Sequence, residues 1–244
     1  MTAPGLSPVH AGLRPPTVDF SLERARRQSL RVVAVDAVGL YFLLRMDRGG
    51  LEPGMPGQFF MLEAPGCVLP RPMSLCLAPP GELAFLIDPI GRGTQALCAL
   101  EPGDAIHVLG PLGKGFDLDV EQPLLVGGGI GIAPLPYLSE QLGRPRAVLG
   151  FRSAAHAEAA ALVPNAQAVI EPTLVTALVP NGSVDVLACG PEPMLEAVRR
   201  LAPRAQLAWE APMACGYGAC YACVVDVGGH LTRLCVEGPV LRAP

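Results

Sequence analysis

From Leu30 to about Phe116, short apolar runs alternate with turn signals: RVVAV, LYFLLRM, GQFFMLEA, LAFLID and DAIHVLG. Runs of that length, punctuated by Gly, Pro and Asp, predict the strands of a small antiparallel barrel. After Gln122 the pattern changes. The strand PLLVGGG leads into a helix from about Pro134 to Leu142, the strand RAVLGF, a helix from Ala154, the strand SVDVLACG and the helix PEPMLEAVRRLA. Strands alternating with helices predict a parallel α/β sheet. The expected fold class is α+β multidomain: an antiparallel β-barrel, a parallel α/β domain and a short C-terminal segment.

Composition agrees with that division. A chain of 244 residues has room for two compact domains and an appendage. With 28 Gly, 27 Pro and only 5% aromatic residues, tight turns are frequent. The net charge of -4 argues against nucleic acid or anionic lipid as partner, because both need a concentrated positive surface. The opening MTAPGLSPVHAGLRPP lacks the basic start and apolar stretch of a secretory signal, so residues 1–27 are expected to be a disordered, Pro-rich extension. The longest uncharged run, Gln122 to Ser139, carries four glycines and three prolines, so no membrane span is expected and a cytoplasmic location is.

Eight cysteines without an export signal suggest metal or redox chemistry rather than a disulfide framework. Cys67, Cys76, Cys98 and Cys189 are scattered among apolar neighbours and read as small buried hydrophobes. The other four are Cys215, Cys220, Cys223 and Cys235, separated by four, two and eleven residues. Three clustered thiolates plus one remote thiolate is the plant-type pattern for a 2Fe-2S cluster, whereas structural zinc usually takes two short knuckles; zinc is the weaker alternative. Gly216 and Gly218 would let the loop wrap closely and turn N–H groups toward sulfur.

Four further motifs are ambiguous singly. In Arg71-Pro72-Met73-Ser74 a guanidinium could pair with phosphate and a hydroxyl with a planar ring, or the arginine could simply lie beside a strand start. In Gly91-Arg92-Gly93-Thr94 the glycines permit approach to an anion, with Thr94 donating from its hydroxyl and N–H, or the threonine is an ordinary cap. GGGIGIAPL, Gly127 to Leu135, follows a buried strand and precedes a helix, with Gly128, Gly129 and Gly131 as a dinucleotide floor; the full fingerprint is incomplete, and a crowded turn needs small residues too. Cys189-Gly190-Pro191 stands at the end of another parallel strand, where ligands bind. No histidine lies near Cys189 in sequence, which favours a structural or cofactor-contacting role over a nucleophile.

In this order RPMS, GRGT, GPLGKGF, LVGGGIGIAPL, ACGPEPML, MACGYGACYAC and the ending CVEGPV resemble the ferredoxin reductase-like family, and within it the electron-transfer subunits of class B dihydroorotate dehydrogenases. The likeness covers roughly residues 28 to 240. It implies an FAD-binding barrel at 28–120, a nicotinamide-nucleotide-binding α/β domain at 121–206 and a 2Fe-2S domain at 207–244. Arg71, Pro72, Met73 and Ser74 match the flavin motif; Leu86, Ile87 and Asp88 fall on the next flavin-contacting strand; Gly93 and Thr94 match the flavin-phosphate turn. Gly128, Gly129, Gly131, Cys189, Gly190 and Pro191 match the nicotinamide-facing loops. The implied role is to pass electrons from the FMN of a dihydroorotate-oxidising catalytic subunit, through 2Fe-2S and FAD, to NAD, in a heterotetramer of two plus two.

The sequence offers no catalytic dyad of its own, since His10, His107, His156 and His230 are dispersed. Three departures from the family pattern stand out. VIEPTLVTALVP replaces a glycine-rich T-[DE]-DGS-x-G loop at the adenosine side, Asp88 stands where an arginine is common, and Pro212 replaces an arginine ahead of the cluster cysteines. Alternatives from the same residues are the small subunit of a ferredoxin-dependent NADP oxidoreductase or a sulfhydrogenase, or a carrier module whose nicotinamide site is lost.

Overall fold

A computed structural model describes residues 25–182, 185–227 and 229–242; nearly all of the expected N-terminal extension, His10 included, lies outside the described residues. Six strands make the first sheet: β1 (Arg26–Val38), β2 (Tyr41–Asp47), β3 (Phe59–Leu62), β4 (Arg71–Ser74), β5 (Glu82–Ile87) and β6 (Ala105–Leu112), with helix α1 (Arg92–Cys98) between the last two. Their order is β4-β3-β6-β1-β2-β5, every pairing antiparallel. The sheet closes where the chain leaving β4 meets β5: Cys76 N–H donates to the Ala84 carbonyl at 2.8 Å, and Ala84 N–H donates to Leu77 at 2.9 Å. Closure removes exposed sheet edges. Alternation sends Leu44, Met46, Phe60, Leu62, Phe85 and Ile87 into the barrel, where the Phe60 and Phe85 rings meet edge to face at 5.6 Å.

The second sheet holds β7 (Leu124–Gly128), β8 (Ala147–Phe151), β9 (Ala166–Ile170), β10 (Val186–Cys189) and β11 (Gln206–Ala208), with α2 (Leu135–Gln141), α3 (Ala154–Ala157) and α4 (Glu192–Leu201) in the connections. A short hairpin, β12 (Val224–Val227) and β13 (His230–Arg233), precedes β14 (Val240–Arg242). The order is β14-β11-β10-β7-β8-β9, parallel except that β14 runs antiparallel to β11. The chain that carries the cysteines therefore returns to the α/β sheet instead of trailing from it. Six strands lie outside the runs read from the sequence, β4, β9, β11, β12, β13 and β14: β9 is largely exposed, β11 and β14 are three residues long, and β4, β12 and β13 are four. The helix expected from Ala154 is a single turn, continued by a 3-10 stretch at Glu158–Leu162.

Barrel and sheet are fastened by polar contacts as well as packing. The buried Gln206 side chain accepts from Asp117 N–H at 2.7 Å and donates to the Asp117 carbonyl at 2.9 Å, so neither amide group is left unpaired. Tyr137 on α2 donates to the Gly54 carbonyl at 3.2 Å. Among the described residues no helix is long and apolar enough to cross a membrane.

Candidate redox centre

The cysteine loop is built on glycine. Gly216 and Gly218 have φ of 81° and 86°, and a β-carbon at either would strike Met61 or Val236 within 2.7 Å. The four thiols fall into two pairs. Cys223 and Cys235 are buried with sulfurs 3.1 Å apart, held by Leu234 N–H donating to the Cys223 carbonyl. Cys215 and the exposed Cys220 form a second, outer pair through a side-chain hydrogen bond. Burial works against ionisation of Cys215, but N–H groups of Tyr217, Cys220 and Ala219 outweigh it and bring the thiol down to about 7. Cys235 is pushed up to about 12, by burial first and then by Cys223, with a Gly218 N–H opposing the rise. Two thiol pairs with amide donors between them fit two irons, one per pair.

Next to this loop lies a cleft of about 230 Å³, in which Pro72, Met73 and Ser74 of β4, Leu86 and Asp88 at the end of β5, and Thr94 of α1 come together. Strand alternation turns Ile87 the other way, into the barrel core. Arg71 does not lie free at a strand start. Its Nη1 donates to the Leu69 carbonyl at 2.7 Å, and its guanidinium occupies the space a side chain at Gly93 would need. The Thr94 side chain serves the start of α1, close to the capping alternative of its two readings: its hydroxyl donates to the Gly91 carbonyl at 2.9 Å and accepts from Gly91 N–H at 3.0 Å. Gly91 has no side chain to complete a capping box; this half of one uses the Thr94 hydroxyl proton and the Gly91 N–H, leaving the other N–H groups of the turn as the donors.

Between β7 and β10 the sheet reverses its order, the place where ligands bind open α/β sheets. A cleft of about 370 Å³ opens there over Gly128, Gly129, Arg152, Thr173, Pro191 and Met194. Gly131 is buried against the other loop, 2.4 Å separating its would-be β-carbon from Gly190 Cα. Cys189 is buried below, its thiol pushed up by burial and by the charge of Glu210. The segment standing in for a glycine-rich loop makes a 3-10 turn at Val175–Leu178, packs Val175 over Gly150 and forms one wall of this cleft.

Comparison with known proteins bears on what these clefts serve. The iron-sulfur cluster binding domain of dihydroorotate dehydrogenase B matches residues 210–244. A dihydroorotate dehydrogenase B (NAD(+)) electron transfer subunit of Bacillus caldolyticus is 38% identical, the match covering 91% of this chain and 96% of the relative. One of Geobacillus thermodenitrificans is 41% identical over 77% of this chain and 85% of its own. This chain belongs to that family. A solved structure of an NADH-dependent reduced ferredoxin-NADP oxidoreductase shares the fold, with a TM-score of 0.76 at 24% identity over 88% of both chains. Phthalate dioxygenase reductase shares it at a TM-score of 0.65 and 13% identity, covering 81% of this chain and 85% of that one.

In this member of the electron-transfer subunit family, burial first and the charge of Asp88 second, against an opposing Arg152, push the Tyr41 hydroxyl up to about 12. Pro212 is exposed and touches no cleft among those described. Glu210 was not among the sequence candidates. It lines both the 230 Å³ cleft and a larger cavity of about 410 Å³ between α4 and the cysteine hairpin. The side chain reaches solvent at the lip, yet protein surrounds most of it and pushes its carboxyl up. Its one signal in the sequence is its place five residues ahead of Cys215.

Proposed function

We infer that this chain is the electron-transfer subunit of a dihydroorotate dehydrogenase B in pyrimidine biosynthesis. It passes electrons from the FMN of a catalytic subunit through 2Fe-2S and FAD to NAD+. One observation carries the reading: the flavin cleft and the thiol loop share a wall. Phe59 lines the cleft and packs in the same apolar cluster as Cys223 and Cys235, and Met213 lines it two residues ahead of Cys215. On the far side, Ile130 of the flavin cleft adjoins Gly129 of the cleft at the sheet reversal. The flavin cleft thus neighbours the thiol loop through Phe59 and Met213 and the cleft at the sheet reversal through Ile130 and Gly129.

When bound, FAD converts between hydride pairs and the single electrons that an iron-sulfur cluster carries. The chain's part is to bind, orient and exclude water. Arg71 and the N–H groups around Gly93 and Thr94 hold the flavin phosphates; Pro72, Met73, Ser74, Leu86 and Asp88 wall its ring system, with Ile87 supporting that wall from the barrel side. Gly128, Gly129, Gly131, Cys189, Gly190 and Pro191 shape the nicotinamide floor. Glu210 is placed to hold a proton at the edge of the flavin cleft. Cys215, Cys220, Cys223 and Cys235 hold the cluster, and residues 28–120, 121–206 and 207–244 serve the three groups in turn.

The outer rim of the loop, with Tyr217, Tyr221 and Cys220 exposed, is where we place the catalytic subunit of a two-plus-two heterotetramer. We place the assembly in the cytoplasm, the compartment in which clustered thiols such as these stay reduced. The test is anaerobic purification with iron, sulfide, zinc and flavin analysis, followed by stopped-flow absorbance with NADH. The expected result is coloured protein with iron and sulfide in equal amounts, FAD reduced by NADH, and an FMN-containing partner that co-purifies. Colourless protein with one zinc, or FAD that NADH leaves oxidised, overturns it.

A further inference from the structure

Arg233 lies two residues before Cys235 and is not a ligand, yet its side chain is only 12% exposed. Three contacts hold it inward. Its Nη1 donates to the Gly218 carbonyl at 3.5 Å, its Cζ stands 5.5 Å from the centre of the Tyr221 ring, and its Nη2 lies 3.6 Å from Oε1 of Glu237. Glu237 is fixed in turn, accepting the Arg233 backbone N–H at 2.6 Å. Both loop partners are critical points. Tyr221 sits between Cys220 and Cys223 at φ 60°, a left-handed conformation that a side chain disfavours. The Gly218 carbonyl belongs to the peptide whose N–H, that of Ala219, donates to the Cys215 sulfur.

A trans peptide points its carbonyl and N–H in opposite directions. The guanidinium therefore acts on one end of the Gly218–Ala219 unit while the Cys215 sulfur sits at the other. Hydrogen bonding at a carbonyl polarises the amide and strengthens what its N–H donates. A cation with so little exposure is also weakly screened.

We propose that Arg233 is a positioning residue that fixes the cysteine loop through Tyr221 and Gly218 and raises the reduction potential of the cluster, with Glu237 as the opposing charge that limits the effect. This rests on the cluster reading above. A reduced cluster carries one more negative charge, so a nearby cation and stronger N–H···S donation favour it, and a nearby carboxylate disfavours it.

The test uses the full heteromeric enzyme with R233Q, R233K and E237Q. Iron and sulfide content is measured first; wild-type enzyme without iron overturns the cluster reading and this proposal with it, whereas with iron present the potentials test this proposal alone. Cluster and FAD potentials then come from redox titrations followed by electron paramagnetic resonance and absorbance. R233Q is expected to lower the reduced-to-oxidised ratio of the cluster at fixed poise about tenfold, equivalent to about 59 mV for a one-electron couple. E237Q is expected to shift the cluster in the opposite direction, R233K to shift it less than R233Q, and FAD to stay put in all three. Looser folding alone would move R233Q and E237Q the same way, so shifts of one sign, or none in R233Q, overturn the proposal. Should R233Q hold no iron, E237Q decides: a positive shift upholds the proposal and a negative or absent one overturns it.

Discussion

A β-carbon on Gly93 would stand 2.2 Å from Nε of Arg71, so the guanidinium of β4 lies flat against the first turn of α1. The two residues are 22 apart in sequence, and together they present a fixed cation beside free backbone N–H groups. Gly93→Ala should force Arg71 out of that seat. FAD binding is expected to weaken about tenfold to a hundredfold, because a charge-assisted hydrogen bond contributes roughly 1.5–3 kcal/mol. Fluorescence titration of the flavin-stripped protein measures it, and unchanged affinity would remove Arg71 from the phosphate site.

Gly131 has no such flexible neighbour. Its would-be β-carbon meets Gly190 Cα at 2.4 Å, Gly190 N at 2.6 Å and the Cys189 carbonyl at 2.7 Å, all backbone. Gly131→Ala is expected to cost roughly 1–3 kcal/mol by overpacking and to slow flavin reduction by NADH. Gly143, with φ 73° and open space around it, is the control. Gly143→Ala should cost about 1–2 kcal/mol of backbone strain and leave NADH reactivity intact. Urea midpoints and stopped-flow rates separate the two.

Glu210 gives stability a pH dependence of definite sign. Burial raises its carboxyl in the folded state, so the folded chain holds this proton more tightly than the unfolded chain. Stability from this source is fully present below the unfolded glutamate value of about 4.3 and is lost as pH rises through the folded value. Glu210→Gln should abolish the loss: the variant gains on the parent as pH rises from 4.5 toward neutrality. Urea midpoints across that range test it, and a constant difference between the two proteins contradicts it.

The two classes of cysteine should part cleanly. Alanine at Cys215, Cys220, Cys223 or Cys235 is expected to abolish iron and sulfide retention. Cys76 is fully buried and its thiol is pushed up by burial, so Cys76→Ala should retain the cluster and cost about 1 kcal/mol as a small cavity. Metal analysis beside thermal unfolding reads both effects. Cluster loss in Cys76→Ala would mean that the four-residue assignment is incomplete.

How much of this was legible beforehand depended on locality. Hydrophobic alternation within five to eight residues sufficed for β2, β5 and β6, and Gly-rich strand ends marked the sheet reversal, since both signals are read along one stretch of chain. The spacing of Cys215, Cys220, Cys223 and Cys235 predicts a cluster loop for the same reason, because a metal loop is mostly a local object. The sequence by itself determined the fold class, the cofactor types and the family. Only the tertiary structure paired the thiols as inner and outer couples, set Arg71 on Gly93, turned Ile87 from the flavin cleft, and brought Glu210 and Arg233 to the edges of the redox groups. Those relationships join residues from different strands and loops. Burial, a missing β-carbon or a screened charge acquires its effect only when packing has decided which neighbours stand within a few ångströms.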